Sequence, residues 1–411
     1  MNEMINSETK DIIIIGGGMV GLSLAYQLIE RRITKSITIL DKEKALGLHT
    51  SGRNSGVLHA GIYYKPGSLK AKVSVEGARR LCEWIEERNL AINKCGKVVI
   101  PTKANLDCQL DLLKERGELN GAKVELWDEN QLKAFIPQAV SKSGRALWSP
   151  NTAVVKPLEI IKCLERELTS KGVTIKKGIK IINVNTKEKL ITTFNKENLS
   201  YSYVFNCAGL GADRISKLFD VGNDYTIIPF KGIYWKLKHE SSIKIPSNLY
   251  PVPDLSVPFL GVHFTPDTER VPSIYIGPTA TPAWGRENYD GIKGLEPSVA
   301  ISSIDLLSRQ YINNKGGFRG YVHQQALQSF QPFFLKAAQE LIPSIRFKDI
   351  EPCSKRGIRS QLFNKRSMKL EDDFLCINSD NSSHILNAVS PAFTASFALA
   401  DLIIDSSILL N

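Results

Sequence analysis

Gly16, Gly18 and Gly21 form a G-x-G-x-x-G run around Met19 and Val20, and Asp41 follows twenty residues after the last of them. This spacing can hold a dinucleotide. Gly16 permits a tight turn, Gly18 lets the backbone approach a pyrophosphate, and Gly21 lets a helix pack closely on a strand. The first N–H groups of a helix beginning here lack intrahelical partners and, with the helix dipole, favour bound phosphate. A carboxylate at Asp41 can grip a ribose hydroxyl. The elements that must position these groups are legible. Asp11–Ile15 reads as a short buried strand, and Leu22, Ala25, Leu28 and Ile29 mark one apolar helix face. Ser36–Leu40 reads as a second strand that delivers Asp41.

That motif serves NAD and FAD alike; the residues beyond Asp41 separate them. His49 to Tyr64, H-T-S-G-R-N-S-G-V-L-H-A-G-I-Y-Y, is a loop of small and polar residues closing on an aromatic pair. It resembles the matching run of the FAD-dependent D-amino-acid-oxidase-like superfamily, which includes glycine oxidase, sarcosine oxidase and glycerol-3-phosphate dehydrogenase. Within it, the chain is most similar to the L-2-hydroxyglutarate oxidase/dehydrogenase family. The likeness continues through Pro66–Ala71. It returns in Asn206–Asp213 (N-C-A-G-L-G-A-D), Pro229–Trp235, Pro253–Asp254 with Pro258–Thr265, Lys355–Gln361 (K-R-G-I-R-S-Q) and His384–Ala392 (H-I-L-N-A-V-S-P-A), so it spans nearly the whole chain.

The resemblance implies an α/β fold: a discontinuous, Rossmann-like FAD-binding domain of the glutathione-reductase type, with an α+β, antiparallel-sheet substrate domain. The expected boundaries are 1–80, 145–220 and 345–411 for the first, and 81–144 and 221–344 for the second. It implies FAD as cofactor, held by Gly16, Gly18, Met19, Val20, Gly21, Asp41, Lys42, Thr50, Ser51, Arg53, Asn54, Ser55, Gly56, Val57, Ile181, Ala208, Gly209, Asn387, Ser390, Pro391 and Ala392. Arg53 stands where some relatives carry a flavin-linking histidine, so a non-covalent cofactor is expected. Pro391 suits the first turn of a helix continuing to Ile404, whose N-terminus would face the flavin pyrimidine.

Composition fits an enzyme with a sizeable core. The 411 residues are 43% hydrophobic, enough for two intertwined domains. No apolar run reaches bilayer-spanning length, and Met1–Asn6 lacks signal-peptide architecture, so a cytoplasmic location is expected. The seven cysteines are scattered without a C-x-x-C, and read as reduced packing thiols with no support for a metal site. A formal charge of +11 could serve nucleic acid, anionic lipid or an acidic substrate. No nucleic-acid module or aromatic–basic interleaving appears, which argues against the first. Lysines 171, 176, 177, 180, 187 and 189 read as a solvated face. Peripheral contact with the inner membrane face stays in view, because flavin dehydrogenases of this type can pass electrons to a quinone.

Beyond the N-terminal unit, Leu69–Arg88 and Leu106–Leu119 read as helices, and Asp128 opens another. Gly96–Pro101 reads as a strand. Leu158–Ser170 reads as a helix before the strands Val173–Ile175 and Lys180–Val184. From Gly222 to Pro343, prolines, aromatics and alternating runs suggest a largely antiparallel region.

Oxidising a hydroxy acid needs a carboxylate clamp and a base for the hydroxyl proton as hydride leaves for the flavin. In relatives the arginine of a G-[LI]-R strand forks onto the substrate carboxylate, which assigns that role to Arg359; a planar guanidinium suits it. Of six histidines, His59 and His263 lie in the strong family matches, and either could be the base. Lys231 could hold a distal acid, and Tyr64 or Tyr234 could orient the hydroxyl. The chain departs from the closer relatives at Lys231 and Ile233, where they have Arg and Glu, at Trp284–Tyr289 and at Thr152–Lys156. Those departures bear on the substrate more than on the fold.

Three functions fit these residues. The leading one is oxidation of a small L-2-hydroxy carboxylate, best L-2-hydroxyglutarate, with quinone or O2 as final acceptor. An amine or amino-acid oxidase on the same scaffold is the alternative; a neutral amine can give up hydride without a histidine base. A flavin-binding interaction protein without catalysis is the third.

Overall fold

The computed structural model describes residues 11–34, 36–253, 260–314, 318–328 and 330–410. The readings at Met1–Asn6 and at Asp254, Pro258 and Phe259 fall outside them. The strand Ile12–Ile15 is buried throughout, and the helix Met19–Glu30 starts directly behind the glycine turn. Gly16 has a φ of 108°, and a Cβ there would collide with the Cys207 carbonyl oxygen. A Cβ on Gly21 would meet the Gly16 carbonyl, so the turn tolerates only glycine at both places.

Ile12–Ile15 pairs in parallel with Ile37–Asp41 on one side and Tyr203–Asn206 on the other. The full order of this six-stranded sheet is Leu375–Ser379, Ser382–Asn387, Tyr203–Asn206, Ile12–Ile15, Ile37–Asp41, Thr174–Lys177. Its central strand Ile12–Ile15 is an apolar run without alternation, buried throughout, as a strand covered on both faces requires. Met19–Glu30 packs against the helices Pro157–Ser170 and Ser396–Ser406, the latter also touching Leu69–Glu87. Leu22, Leu24, Leu28, Phe205, Leu399 and Ile403 sit in the shared core. Tyr26 stacks on Phe397 with ring centroids 5.3 Å apart.

A second, ten-stranded sheet is built around the long antiparallel pair Tyr225–Leu237 and Ile350–Asn364. It continues through Ile274–Gly277, His263–Pro266, Asn248–Pro251, Lys97–Ile100, Ala146–Ser149 and Glu125–Trp127. Ala146–Ser149 and Ile350–Asn364 therefore belong to this sheet, although the boundaries drawn at 145 and 345 put them with the first unit. Motif matching follows the chain past the glycines, whereas sheet membership is set by pairing partners distant in sequence.

Two readings need correction. The stretch from 222 to 343 is not mainly antiparallel strand: it carries the helices Pro297–Asn313, Phe318–Gln328 and Gln331–Gln339. The first has proline in its opening turn and buries Val299, Ser303 and Leu306 on one face, a pattern masked by the surrounding prolines and aromatics. Pro391 does not open the last helix. It sits in a turn behind a cis Ser390–Pro391 bond, and the helix begins at Ser396.

Candidate active site

A cavity of about 770 Å³ runs from the glycine turn into the face of the large sheet. At one end it is lined by Gly16, Gly18, Met19, Val20, Asp41, Lys42, the loop residues Thr50, Ser51, Arg53, Asn54, Ser55 and Val57, and Ile181, Ala208 and Gly209. At the other lie His59, Tyr234, His263 and Arg359, with the backbone turn that contains Ser390, Pro391 and Ala392 beside them. The sequence reading thus brought most of its candidates to one cavity.

Five of them stand off its wall. Gly21 is consumed by the contact with Gly16, and Gly56, at a φ of 81°, by close approach to the Val155 carbonyl. Asn387 braces backbone, donating to the carbonyls of Glu371 (3.0 Å) and Asp373 (2.6 Å). Lys231 is excluded by strand alternation: Phe230 and Gly232 line the cavity, so Lys231 faces the other way and its Nζ reaches Asn288 Oδ1 at 3.4 Å. Tyr64 stands behind Ser390, which hydrogen-bonds its hydroxyl.

The glycine end can accept a dinucleotide. Gly18 precedes the first turn of the helix, and the Met19 N–H is capped by Ser51 Oγ at 2.9 Å, so a hydroxyl and a helix N-terminus converge there. Asp41 accepts from the Gly17 N–H through Oδ2 and from the Glu43 N–H through Oδ1, both at 2.8 Å. Burial pushes its carboxyl above the usual range in spite of these donors. Beyond Asp41, Glu43, His49 and Glu287 cluster around the Lys42 ammonium, which bonds both glutamates. Arg53 is stacked on the Tyr289 ring, 4.2 Å from its centroid, and donates to the Leu48 carbonyl at 2.7 Å. A guanidinium so held offers no nucleophile for a flavin link.

The sheet end has a different chemistry. The charged side chains that weigh most on His59 and His263 are cations: Lys97 and Arg359 on both, and Lys355 on His263. Burial holds the His59 imidazole well below its ordinary range, with Lys97 adding to the effect. Burial likewise holds His263 down to about 3, against a hydrogen bond to the Gly261 carbonyl that opposes it. Both rings are therefore neutral at neutral pH. Tyr250 stacks on His263 with centroids 3.8 Å apart. Lys355 lies 4.3 Å from the Tyr275 ring centroid and is held down to about 8, mainly by burial.

Two groups here escaped the sequence reading. Tyr250 lines the cavity from a strand with no motif around it. Lys97, at 1% exposure, lies behind His59. The run Gly96–Ile100 reads as an ordinary strand, and nothing local says that its lysine turns inward.

Across residues 11–406 the chain matches the model of the DAO family, described as FAD dependent oxidoreductase. It is 33% identical over 428 residues to the mitochondrial L-2-hydroxyglutarate dehydrogenase of Nematostella vectensis, covering 98% of this chain and 91% of that protein. It is 34% identical to the L-2-hydroxyglutarate dehydrogenase of Indibacter alkaliphilus, covering 94% and 96%. Among solved structures it is similar to FAD-bound L-alpha-glycerophosphate oxidase from Mycoplasma pneumoniae, with a TM-score of 0.74, 20% identity and coverage of 98% and 95%. Glycine oxidase from Geobacillus kaustophilus aligns with a TM-score of 0.70 at 15% identity, covering 97% and 94%. The glycine turn, the cavity that continues from it and the full-length match agree: the chain belongs to the DAO family of FAD-dependent oxidoreductases.

Proposed function

We propose that the protein oxidises L-2-hydroxyglutarate to 2-oxoglutarate. The observation that carries this is the cationic end of the cavity, where Arg359 lines the wall with two neutral histidines and the buried cations Lys97 and Lys355 act on them from behind. Such a site favours a dianion over an amine. The names of relatives about one-third identical over nearly the whole chain support the same substrate.

FAD, when bound, accepts the hydride from the substrate α-carbon. Gly16, Gly18, Met19, Asp41 and Ser51 would hold its dinucleotide portion, and the orientation of Arg53 favours a non-covalent cofactor. Arg359 clamps the α-carboxylate in a bidentate fork. Tyr234, 6% exposed and with its phenol kept protonated by burial, orients the substrate by hydrogen bonding. A neutral imidazole takes the hydroxyl proton.

For the acceptor we infer a quinone reached at an acidic membrane surface on the cytoplasmic side, with O2 as the competing acceptor. Support comes from the helical insertion, where Ile301, Ile304 and Ile312 are exposed along one face of a helix and Phe330, Phe333 and Phe347 are exposed nearby in sequence. Exposed Arg319, Lys336, Arg346 and Lys348 accompany them.

The test is anaerobic bleaching of the flavin band at about 450 nm, a property of the cofactor. The panel is L-2-hydroxyglutarate, its D enantiomer, L-lactate, glycerol 3-phosphate and glycine. Bleaching by L-2-hydroxyglutarate alone is expected. Bleaching by glycine and not by the hydroxy acids would replace this reading with an amine oxidase.

A further inference from the structure

Lys97 makes one directional contact that matters to the cavity: its Nζ lies 3.2 Å from Nδ1 of His59. The ammonium also sits 4.4 Å from the ring centroid of Tyr250 and 5.0 Å from that of Tyr63. Among the described residues no carboxylate forms an ion pair with it. A buried lysine without a carboxylate is costly, and an aliphatic side chain would fill this strand position without that cost.

Its hydrogen-bonding capacity fixes what His59 can do. An ammonium has donors and no acceptor, so Nδ1 of His59 must accept, and a neutral imidazole then carries its one proton on Nε2. His263 has the opposite constraint. Its Nδ1 lies 2.8 Å from the Gly261 carbonyl oxygen, which can only accept. The neutral ring therefore carries its proton on Nδ1 and leaves Nε2 bare. Both rings line the cavity. One becomes a donor and the other an acceptor.

We propose that Lys97 is a positioning residue that holds His59 as an Nε2–H hydrogen-bond donor to the substrate oxygen, leaving His263 Nε2 as the base. The catalytic consequence rests on the hydroxy-acid reading above; the tautomer assignment does not. The step balances. The hydroxyl proton passes to Nε2 of His263, the α-carbon releases hydride to FAD, and the O–H electron pair becomes the second bond of the new carbonyl. His59 donates to that oxygen throughout and takes up no proton.

The arrangement has a pH signature. Burial holds Lys97 down to about 7. The titratable and charged groups around it are Cys95 on its own segment, His59, Tyr63, Tyr250 and His263, with Arg359 and Lys355 beyond. When Lys97 deprotonates, its amine can accept from Nδ1–H, and His59 is released to the other tautomer. Activity therefore falls on the alkaline side as Lys97 loses its proton.

The experiment records histidine side-chain 15N shifts of the FAD-loaded enzyme without substrate, then kcat and KM against pH, for wild type, Lys97→Arg and Lys97→Met. Wild type below the alkaline limb, and Lys97→Arg throughout, should show His59 protonated on Nε2. Lys97→Met should show a tautomer mixture and lose about a hundredfold in kcat, the scale of one donor removed from a developing oxyanion, with KM little changed. In Lys97→Arg the alkaline limb should move up, because guanidinium stays charged. His263 should keep its Nδ1–H signal in every variant, which controls for folding. An unchanged His59 tautomer in Lys97→Met, or an unmoved limb in Lys97→Arg, overturns the proposal. If Lys97→Met fails to load FAD, the Lys97→Arg limb decides alone. If the predicted tautomers appear while L-2-hydroxyglutarate fails to bleach the flavin, the substrate reading falls and the tautomer assignment stands.

Discussion

Lys97 pays for its position in stability, and that cost can be measured apart from activity. Its folded-state pKa of about 7 lies below the ordinary 10.5. Between those values the unfolded chain binds more protons, so this group makes stability rise as pH rises through the window, and its penalty is complete below about 7. Lys97→Met should therefore melt higher than wild type at neutral pH, by a gain on the order of a few kcal/mol, and the gain should shrink toward pH 10. A lower melting temperature for the variant at neutral pH would show that the lysine stabilises its surroundings instead. Residue by residue, the sequence was readable where the requirement is local. Gly16 needs its φ of 108° and Gly21 its missing Cβ whatever the rest of the chain does. Lys97 and Tyr250 were not readable, because their roles arise from stacking across strands far apart in sequence. Lys231 was misplaced for a related reason: strand phase decides which side chains face the cavity, and the motif P-F-K-G does not encode phase.

Between elements, one buried tie between the two units is the pair Asp213 and Arg286. Asp213 follows the Tyr203–Asn206 strand in the helix Ala212–Leu218, while Arg286 belongs to the segment after the strand Ile274–Gly277. Both side chains are buried, with exposures of 0% and 7%. Arg286 bonds both carboxylate oxygens and also donates to the Leu210 carbonyl at 2.6 Å. Burial alone would raise the Asp213 carboxyl, but Arg286 outweighs it and holds the group below its ordinary value. Replacing Asp213 by Asn leaves a buried guanidinium half-paired, and should cost about 3–5 kcal/mol in denaturant unfolding. For wild type, the sign runs opposite to Lys97: the contribution is present above the unfolded carboxylate pKa and is lost as pH falls through the folded one. A loss under 1 kcal/mol would mean the pair is open to water. Asp213 lies in a recognisable motif and Arg286 in a segment that departs from the relatives, and their meeting joins residues 73 positions apart. The helices from Pro297 to Gln339 were missed although two of them carry proline in the opening turn, because the regional shift in composition outweighs that local signal.

At the scale of the molecule, the exposed apolar helices and the net charge of +11 make a claim about location that binding can test. The protein should co-sediment with vesicles containing anionic phosphatidylglycerol more than with neutral ones, and Ile304→Glu combined with Phe330→Glu should abolish the difference. Equal sedimentation of wild type and variant would remove the membrane from the proposal. The sheet order carries a further consequence. Tyr203–Asn206 is flanked by Ile12–Ile15 on one side and by Ser382–Asn387 on the other, and the Ser390–Ala392 turn beside the sheet end of the cavity comes after that last strand. On the ribosome, the glycine turn is made early and waits for nearly the whole chain before its sheet can close. A product stopped before Leu375 would carry the recognisable dinucleotide motif and most of both sheets, yet have no complete cofactor pocket. For this fold, the order of synthesis makes a complete FAD pocket wait until Ser382–Asn387 and the turn after it have been made.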